Sequence, residues 1–388
     1  MPEKARVYAS VGPRLTHWEL DIDSAALTRR ESVELPANIH YVWPHASHHY
    51  LYAATSNSAS GIGGFVGDRH HVTAWRIDAA TGALSPHGAA ITLPTRPIHL
   101  TSDNPSRHLL VAFSNPSGVR VYRINPDATP GGEIAQTAAI DPGIYGHQVR
   151  VSPDNRLAIL VTRGHDAAGG KPEEPGALKV FRYRDGQLTD EVSVAPNGGY
   201  GFGPRHLDFH PTQPWVYVSL ERQNRLDMFA LAGDRLSPTP LFSKTTLAEP
   251  GNIRGRQVAG TVHVHPNGRF VYVANRASST LGEGAQRVFA GGENTLAVFA
   301  IDPATGEPEA IQHVDTRGIH CRTFHIDPSG RILVAAHIIG LPVRDGAATR
   351  IVPACLSLFR IGNDGRLDFV RKYDVEVGSE QMFWMGMA

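Results

Sequence analysis

Residues 205–220 read RHLDFHPTQPWVYVSL, which is a short strand, a turn centred on Pro211 and an apolar strand. Five other segments repeat this order, namely IHYVWPHASHHYLYAA (39–54), IHLTSDNPSRHLLVAF (98–113), HQVRVSPDNRLAILVT (147–162), TVHVHPNGRFVYVAN (261–275) and RTFHIDPSGRILVAAH (322–337). Successive turn prolines, from Pro44 to Pro328, are 61, 48, 58, 55 and 62 residues apart. A period of this size predicts a chain built from repeated supersecondary units.

A second strand recurs after each of these segments. The six runs begin at Val72, Val119, Leu178, Leu226, Leu296 and Leu356. Their alternation of apolar and polar residues is typical of half-buried strands, and turns such as DAATG (78–82) favour β-hairpins. Each unit therefore supplies about four antiparallel strands, which is one blade of a β-propeller.

The number of blades follows from the length. Dividing 388 residues by a period of about 57 gives about seven blades. Six are complete, and we expect residues 7–21 and 380–388 to form the seventh, because joining the two ends closes the ring and removes free strand edges. The predicted fold is all-β, a single seven-bladed β-propeller domain over residues 1–388. A β-sandwich is the alternative, which the near-constant period disfavours.

Four longer gaps interrupt the repeat, at residues 61–69, 167–176, 278–293 and 338–350. They are rich in glycine and charge, so we expect them to be surface loops.

The composition limits the classes of function and partner. The chain has 37 Lys and Arg against 37 Asp and Glu, whereas nucleic-acid and membrane-surface proteins usually have a basic excess. We therefore expect neither partner. No apolar run approaches the roughly 18 residues of a membrane span, no signal-like segment follows Met1–Arg6, and two cysteines make no disulfide framework. These features favour a cytoplasmic protein; they leave its oligomeric state open.

The repeat register also identifies positions that line the central channel of a propeller. Structural positions keep one apolar residue type from blade to blade. By contrast, two positions in each unit vary and are mostly polar. One lies six residues before the turn proline, and the other lies at the end of the next strand. Such variation is typical of a functional site on a repeating scaffold. The twelve positions are Asn38, His99, His147, Arg205, Gly260 and Arg322, and then Ser56, Ser114, Arg163, Glu221, Arg276 and His337.

Four arginines and one glutamate among these twelve predict a cationic channel, and a cationic channel favours a small anion as its ligand. We expect His99, Arg163, Arg322 and His337 to bind substrate. A structural interpretation stays open for each, because the arginines can pair with neighbouring carboxylates and the histidines can be satisfied within the fold.

The other histidines carry a weaker signal. His210 and His265 precede turn prolines, so we interpret them as structural residues. A metal site that includes His263 and His265 lacks a visible third ligand, and we predict neither a metal nor another cofactor.

Three segments resemble a known family: GIYGHQVRVSPDNRL (143–157), GFGPRHLDFHPTQPWVYVSLE (201–221) and HVHPNGRFVYVANR (263–276). They are similar to the seven-bladed lactonase family, which includes the propeller type of 6-phosphogluconolactonase and the fungal carboxy-cis,cis-muconate cyclase. The resemblance covers nearly the whole chain. It implies a catalytic set of one histidine, one glutamate and two arginines, which by motif are His147, Glu221, Arg205 and Arg276.

The chain departs from the family pattern at two places. Arg276 is followed by Ala277 and a long glycine-rich insertion, where the family often has glycine and a short turn. The last blade has Ala336–His337 where the family often has Asn-Gln. Both changes lie at the expected mouth of the channel, so they bear on the identity of the substrate.

These residue types suit the hydrolysis of a small acidic lactone. The reaction needs a base near water, an acid near the ring oxygen and positive charge on the developing oxyanion. Glu221 is expected to activate water or hold His147, whose ordinary pKa of about 6.5 suits proton transfer. Arg205 and Arg276 are expected to bind the substrate's carboxylate or phosphate and the oxyanion.

Two alternatives stay open at this point. A cycloisomerase of the carboxymuconate type would need the same anion clamp and a proton donor. A propeller without enzymatic activity would instead use its outer loops as a binding scaffold.

Overall fold

A computed structural model of the chain describes residues 4–59, 64–282, 284, 287–346 and 348–388. Within these residues, seven antiparallel sheets of four or five strands follow one another along the chain. A short 3₁₀ turn, Pro196–Gly199, interrupts the succession of strands. The predicted all-β propeller with seven blades is therefore confirmed.

The strands are numbered in chain order. They begin with β1 (Lys4–Val11), β2 (Arg14–Asp21) and β3 (Ala26–Glu34) of blade 7. Blade 1 has β4 (Asn38–Pro44), β5 (Tyr50–Ser56), β6 (His70–Ile77), β7 (Leu84–Pro86) and β8 (Ile91–Thr92), and blade 2 has β9 (Pro97–Ser102), β10 (His108–Ser114), β11 (Ser117–Ile124) and β12 (Pro130–Glu133). Blade 3 has β13 (Gly146–Val151), β14 (Leu157–Thr162), β15 (Ala177–Arg184) and β16 (Gln187–Val194), and blade 4 has β17 (Pro204–Phe209), β18 (Trp215–Leu220), β19 (Arg225–Ala232), β20 (Arg235–Leu236) and β21 (Phe242–Thr245).

The last strands complete the ring. Blade 5 has β22 (Gln257–Val264), β23 (Phe270–Ala277), β26 (Thr295–Ile301) and β27 (Pro308–Asp315), with a hairpin of β24 (Thr280–Leu281) and β25 (Val288–Phe289) inserted. Blade 6 has β28 (Ile319–Ile326), β29 (Ile332–Ile339), β32 (Cys355–Ile361) and β33 (Leu367–Asp374), with a hairpin of β30 (Leu341–Asp345) and β31 (Ala348–Val352) inserted. The final strand, β34 (Met385–Met387), belongs to blade 7.

The ends of the chain meet in blade 7. The C-terminal β34 pairs antiparallel with β1, with Val7 opposite Met387 and Ala9 opposite Met385. Because β34 supplies the innermost strand of a sheet whose other three strands come from the N-terminus, the ring closes as the sequence predicted.

Apolar side chains fill the space between neighbouring blades. Leu110 and Val121 of blade 2, for example, belong to one buried cluster with Val149 and Phe181 of blade 3. Each strand alternates between the two faces of its sheet, so one blade packs against both of its neighbours. This packing produces a stack of sheets around a common axis rather than a single central core.

The histidines before the turn prolines hold adjacent blades together. The Nε2 of His210 donates to the carbonyl oxygen of Gly268 at 2.8 Å, and the Nε2 of His265 donates to that of Gly330 at 2.9 Å. Each Nδ1 accepts a backbone N–H from its own turn. Both residues are therefore structural, which agrees with the interpretation of the sequence.

Two of the four insertions contain strands that the sequence did not predict. They form the hairpins β24–β25 and β30–β31, because short alternating runs such as PVRD and TRIV are long enough to pair. Residues 61–63 of the first insertion, 283, 285 and 286 of the third and 347 of the fourth lie outside the described residues.

Candidate active site

Irregularities in the innermost strands present three of the predicted residues. The pairing register shifts between Gly146 and Gln148, and it shifts in the same way around Arg205 and around Arg322. His147, Arg205 and Arg322 are thus the extra residues of β-bulges. A bulge leaves its extra residue out of the ladder and turns its side chain, which is a common device beside functional sites.

The second strands of blades 3, 4 and 5 position three more of the predicted site residues. Arg163 and Glu221 directly follow β14 and β18, and Arg276 lies at the corresponding place in β23. The backbone N–H of Glu221 donates to the carbonyl oxygen of Gly203 at 2.8 Å, which fixes the start of its loop. Three neighbouring blades therefore bring two cations and one anion to the same end of the channel.

The carboxylate of Glu221 binds arginines from both sides. The Nη1 of Arg163 donates to Oε2 at 2.6 Å, and the Nη2 of Arg276 donates to Oε1 at 2.7 Å. The Nε of Arg205 lies 3.3 Å from the same Oε1 and forms an ion pair with it. All four side chains are mostly buried, and Arg205 and Arg276 are 2% and 1% exposed.

These contacts set the protonation of Glu221. Burial alone raises the pKa of a carboxyl group, but the charges of the three arginines outweigh it and hold the pKa of Glu221 well below its usual range. Glu221 is therefore a carboxylate at neutral pH and a weak proton acceptor. The structure gives it arginine partners and no hydrogen bond to His147, in contrast to one of the roles expected from the sequence.

His147 lies beside this cluster as a neutral imidazole. Burial, followed by the charge of Arg205, holds the pKa of His147 well below its ordinary value of 6.5. Its Nδ1 is buried without a hydrogen-bond partner among the described residues. Its ring centroid lies 5.3 Å from that of His206, with the two rings tilted by 55°, and the Nε2 of His206 lies 3.3 Å from Nη1 of Arg205. A neutral histidine accepts a proton rather than donating one.

A cavity of about 390 Å³ opens onto the cluster. Arg163, Glu221, Arg276 and Arg322 line it, whereas His147 and Arg205 do not. This size suits a small ligand. A larger cavity of about 750 Å³ lies beside the two inserted hairpins and includes none of the charged residues of the cluster.

His99 lies elsewhere in the channel, among aromatic rings. It is completely buried, its ring centroid is 3.9 Å from that of Tyr41, and neither ring nitrogen has a hydrogen-bond partner in the described part of the chain. Burial holds the pKa of His99 well below 6.5. His206, 6.2 Å away between ring centroids, stands between His99 and His147.

The structure does not bring His337 to the cluster. His337 pairs with Cys321, the residue before the bulge of blade 6, just as Thr162 pairs with Gly146 before the bulge of blade 3. His337 is therefore equivalent to Thr162, one residue before the channel-facing position. Successive strand residues point to opposite faces, so Ile338 takes the place that the sequence assigned to His337. The Nδ1 of His337 donates to the carbonyl oxygen of Cys355 at 3.0 Å, and burial lowers its pKa to about 4.

Sequence reasoning missed His320, which lines the cavity. Its Nε2 lies 3.3 Å from Nη1 of Arg276, and its Nδ1 lies 3.0 Å from Oγ of Ser278. Its φ of +57° is unusual for a residue other than glycine, and Asn294 fixes its backbone N–H at 2.8 Å. No repeat position marks His320, because it lies near the start of β28, two residues before the bulge and not at the bulge itself.

Tyr145 is a second residue that the register overlooked. It precedes the innermost strand of blade 3 with a φ of +59°, and its ring lies 4.5 Å from Cζ of Arg163. The ring and the carboxylate of Glu221 together fix the guanidinium of Arg163.

The described residues contain no group of three His, Cys, Asp or Glu side chains that is arranged to hold a metal ion. His263 and His265 diverge, since the Nδ1 of His263 lies 3.4 Å from Asp208 while His265 binds the next blade.

Comparison with known proteins shows the family and agrees with the seven-bladed fold. Residues 7–338 match the family described as "Lactonase, 7-bladed beta-propeller". The chain belongs to this lactonase family. It is 26% identical over 329 residues to the 6-phosphogluconolactonase of Bacillus subtilis (strain 168) and 28% identical over 323 residues to that of Cronobacter sakazakii, in each case over 82% of this chain and 83% of the relative.

The solved structure of the periplasmic gluconolactonase PpgL of Pseudomonas aeruginosa has the same fold. Its TM-score is 0.73 at 21% identity, and the match covers 99% of each chain. The family resemblance predicted from the sequence is confirmed. Among the residues described, no helix has the length and apolar character needed to cross a bilayer.

Proposed function

We propose that this member of the lactonase family hydrolyses a small acidic lactone at the channel mouth. The observation that carries the proposal is the carboxylate of Glu221 held by Arg163, Arg205 and Arg276 beside a neutral His147. A sugar-acid, phosphosugar or muconate-type lactone provides the acidic group that a cluster of arginines favours.

The residues divide the work of ester hydrolysis. His147 takes a proton from water, whose oxygen forms a bond to the lactone carbonyl carbon, and the arginines stabilise the negative charge that develops on the carbonyl oxygen. The bond between that carbon and the ring oxygen then breaks, and the protonated His147 returns its proton to the ring oxygen. The products are one carboxylic acid and one hydroxyl group, so the step is balanced with water alone, and at neutral pH the acid then releases its proton to the solvent.

Glu221 acts on the arginines rather than on water. Buried like charges repel, and a carboxylate between three guanidinium groups offsets that repulsion and fixes their directions. Preorganised charge of this kind stabilises a transition state without reorganisation during the reaction. Glu221 is thus proposed as the residue that positions the arginines.

The first test measures lactone opening by the purified protein on sugar-acid, phosphosugar and muconate-type lactones. We expect Glu221→Gln to lower turnover of the best substrate at least tenfold, about 1.4 kcal/mol in the barrier, because a neutral amide leaves the arginines unpaired. Glu133→Gln is the matched control, since Glu133 forms an exposed ion pair with Arg120 on blade 2. We expect the control to keep full activity.

The outcomes separate the alternatives. Opening of no lactone, with cyclisation of a muconate, would replace hydrolysis by the cycloisomerase. If the protein catalyses neither reaction, the propeller that serves as a binding scaffold is the alternative that remains. Full activity in Glu221→Gln would remove the assigned role from Glu221.

A further inference from the structure

The arginines at the channel mouth fall into two groups. Arg163, Arg205 and Arg276 share the carboxylate of Glu221, so their charge is partly compensated within the protein. Arg322 and Arg96 form no ion pair with a carboxylate in the part of the chain that the structure describes. An anion that binds the first group must therefore compete with the carboxylate of Glu221, whereas an anion that binds the second group meets no such competitor.

Arg322 is fixed so that one side of its guanidinium stays available. Its Nε donates to the carbonyl oxygen of Phe383 at 3.0 Å, and its Cζ lies 3.6 Å from the centre of the Phe383 ring. The same side chain lines the cavity that contains Glu221. Burial, followed by the charges of Arg276 and Arg96, lowers the pKa of Arg322 to about 9, which leaves it charged at neutral pH.

Arg96 lies just before the innermost strand of blade 2. Its Nε is buried without a hydrogen-bond partner among the described residues, and no other hydrogen bond of its guanidinium is present there. The strand that Arg96 precedes, β9, packs directly against β4, the strand that carries His40. The charge of Arg96 also lowers the pKa of both Arg322 and His40, after burial as the largest cause.

His40 supplies neutral polar groups at the same place. It is 4% exposed, and both of its ring nitrogens are buried with no hydrogen bond of ordinary geometry in the described residues, apart from a weaker contact with the backbone of Ser56. Its ring contacts the edge of Phe383 at 5.2 Å, on the residue that also holds Arg322. Buried polar groups in folded proteins are almost always satisfied, so a cluster of unpartnered donors indicates a ligand.

We propose that Arg96, Arg322 and His40 form the subsite that binds the anionic substituent of the substrate, distinct from the Glu221 cluster where the carbonyl reacts. The inference rests on the proposed function, because it names the part of the site that selects acidic lactones. An anion between two unpaired guanidinium groups relieves their repulsion and accepts charge-assisted hydrogen bonds.

Phosphate and carboxylate share this chemistry, and the binding experiment separates them. Titration calorimetry with inorganic phosphate and with succinate is carried out on the wild type, on Arg96→Ala and on Arg120→Ala, an exposed arginine of the same blade. We expect Arg96→Ala to lower the affinity for the better-bound anion about tenfold to hundredfold, which is the range for a lost hydrogen bond between charged groups. Arg120→Ala is expected to bind like the wild type.

Kinetics tests the same point on substrates. For Arg96→Ala, kcat/KM for an acidic lactone is expected to fall at least tenfold further than kcat/KM for neutral glucono-lactone, and mainly through KM. Arg96→Lys keeps the charge and is expected to recover part of the affinity. A loss confined to phosphate or to succinate identifies the group that the subsite binds.

Equal losses on acidic and neutral lactones, or anion binding unchanged by Arg96→Ala, would overturn the subsite while leaving the lactonase proposal intact. Absence of phosphate and succinate binding by the wild type would overturn it as well. Conversely, the wild type could bind the anion and open no lactone, while Arg96→Ala loses anion binding. That result would refute the proposed function and keep the subsite.

Discussion

At the scale of single residues, burial and charge decide what each group in the site is able to do. Glu221 is a carboxylate because three arginines surround it, and His147 is neutral because it is buried beside Arg205. The sequence predicted both residues by register and by motif. Their protonation was not predictable, because it depends largely on neighbours that are far away in the chain, such as Arg205, 58 residues from His147, and Arg276, 55 residues from Glu221.

The protonation of His147 leads to a prediction for the pH dependence of activity. The base must be neutral, and the pKa of His147 lies well below 6.5, so kcat/KM is expected to be constant from pH 8 to 6.5 and to fall only at lower pH. In His147→Gln we expect at least a tenfold loss of kcat and no such acid limb. The pH profile of initial rates, corrected for spontaneous hydrolysis, checks both.

His48→Gln, an exposed histidine, is the control and is expected to keep the wild-type profile. An acid limb centred at or above pH 6.5 in the wild type, or the same limb in His147→Gln, would exclude His147 as the base.

At the scale of strands, the bulges decide which side chains enter the channel. Counting six residues back from the turn proline found His147, Arg205 and Arg322 because blades 3, 4 and 6 have the proline at the same place in turns of the same length. In blade 1 the turn is equally long, but Pro44 stands before its first residue rather than after it, so the count arrives at Asn38 and misses the bulge at His40. Register is therefore predictable only as far as the proline keeps its place in the turn.

Gly260 gives a prediction at this scale. It lies at the bulge of β22, and a Cβ there would stand 2.8 Å from Nε of Arg276 and 3.1 Å from the carbonyl oxygen of Ala274. We expect Gly260→Ala to displace the guanidinium from Glu221 and lower kcat/KM at least tenfold, with a melting temperature within a few degrees of the wild type. Steady-state kinetics and thermal unfolding measure the two effects.

Gly118→Ala on β11 is the matched control, because its Cβ would meet no atom closer than 3.8 Å. Retained activity in Gly260→Ala would show that Arg276 tolerates the displacement, contrary to the role proposed for it.

At the scale of the whole molecule, closure of the ring joins the two ends of the chain. Ser10 donates its backbone N–H to the carbonyl oxygen of Trp384 at 2.8 Å, and Met385 and Met387 are buried in the cluster between blades 6 and 7. Without β34, the inner edge of β1 would be exposed. We propose that the seven blades unfold as one domain because each depends on both of its neighbours.

Ring closure predicts a loss of stability on shortening the chain. Met385→Ala is expected to lower the free energy of unfolding by about 2–5 kcal/mol through the cavity it leaves, and deletion of residues 385–388 is expected to lower it further. Urea unfolding measures both. Val192→Ala, at an exposed apolar residue, is the control and is expected to stay within about 0.5 kcal/mol. A deletion variant with the wild-type midpoint would contradict closure by β34.

The sequence by itself determined the all-β propeller, its seven blades, its closure by the two ends, and the group of Glu221 with its arginines. These follow from local patterns, since alternation and turn chemistry act between residues close in the chain. Only the tertiary structure decided that His337 turns away, that His320 and Tyr145 enter the site, and that Arg96 and Arg322 have no carboxylate partner among the described residues. Those properties depend on bulges, the place of the proline in each turn and contacts between blades, and a repeat pattern contains none of them.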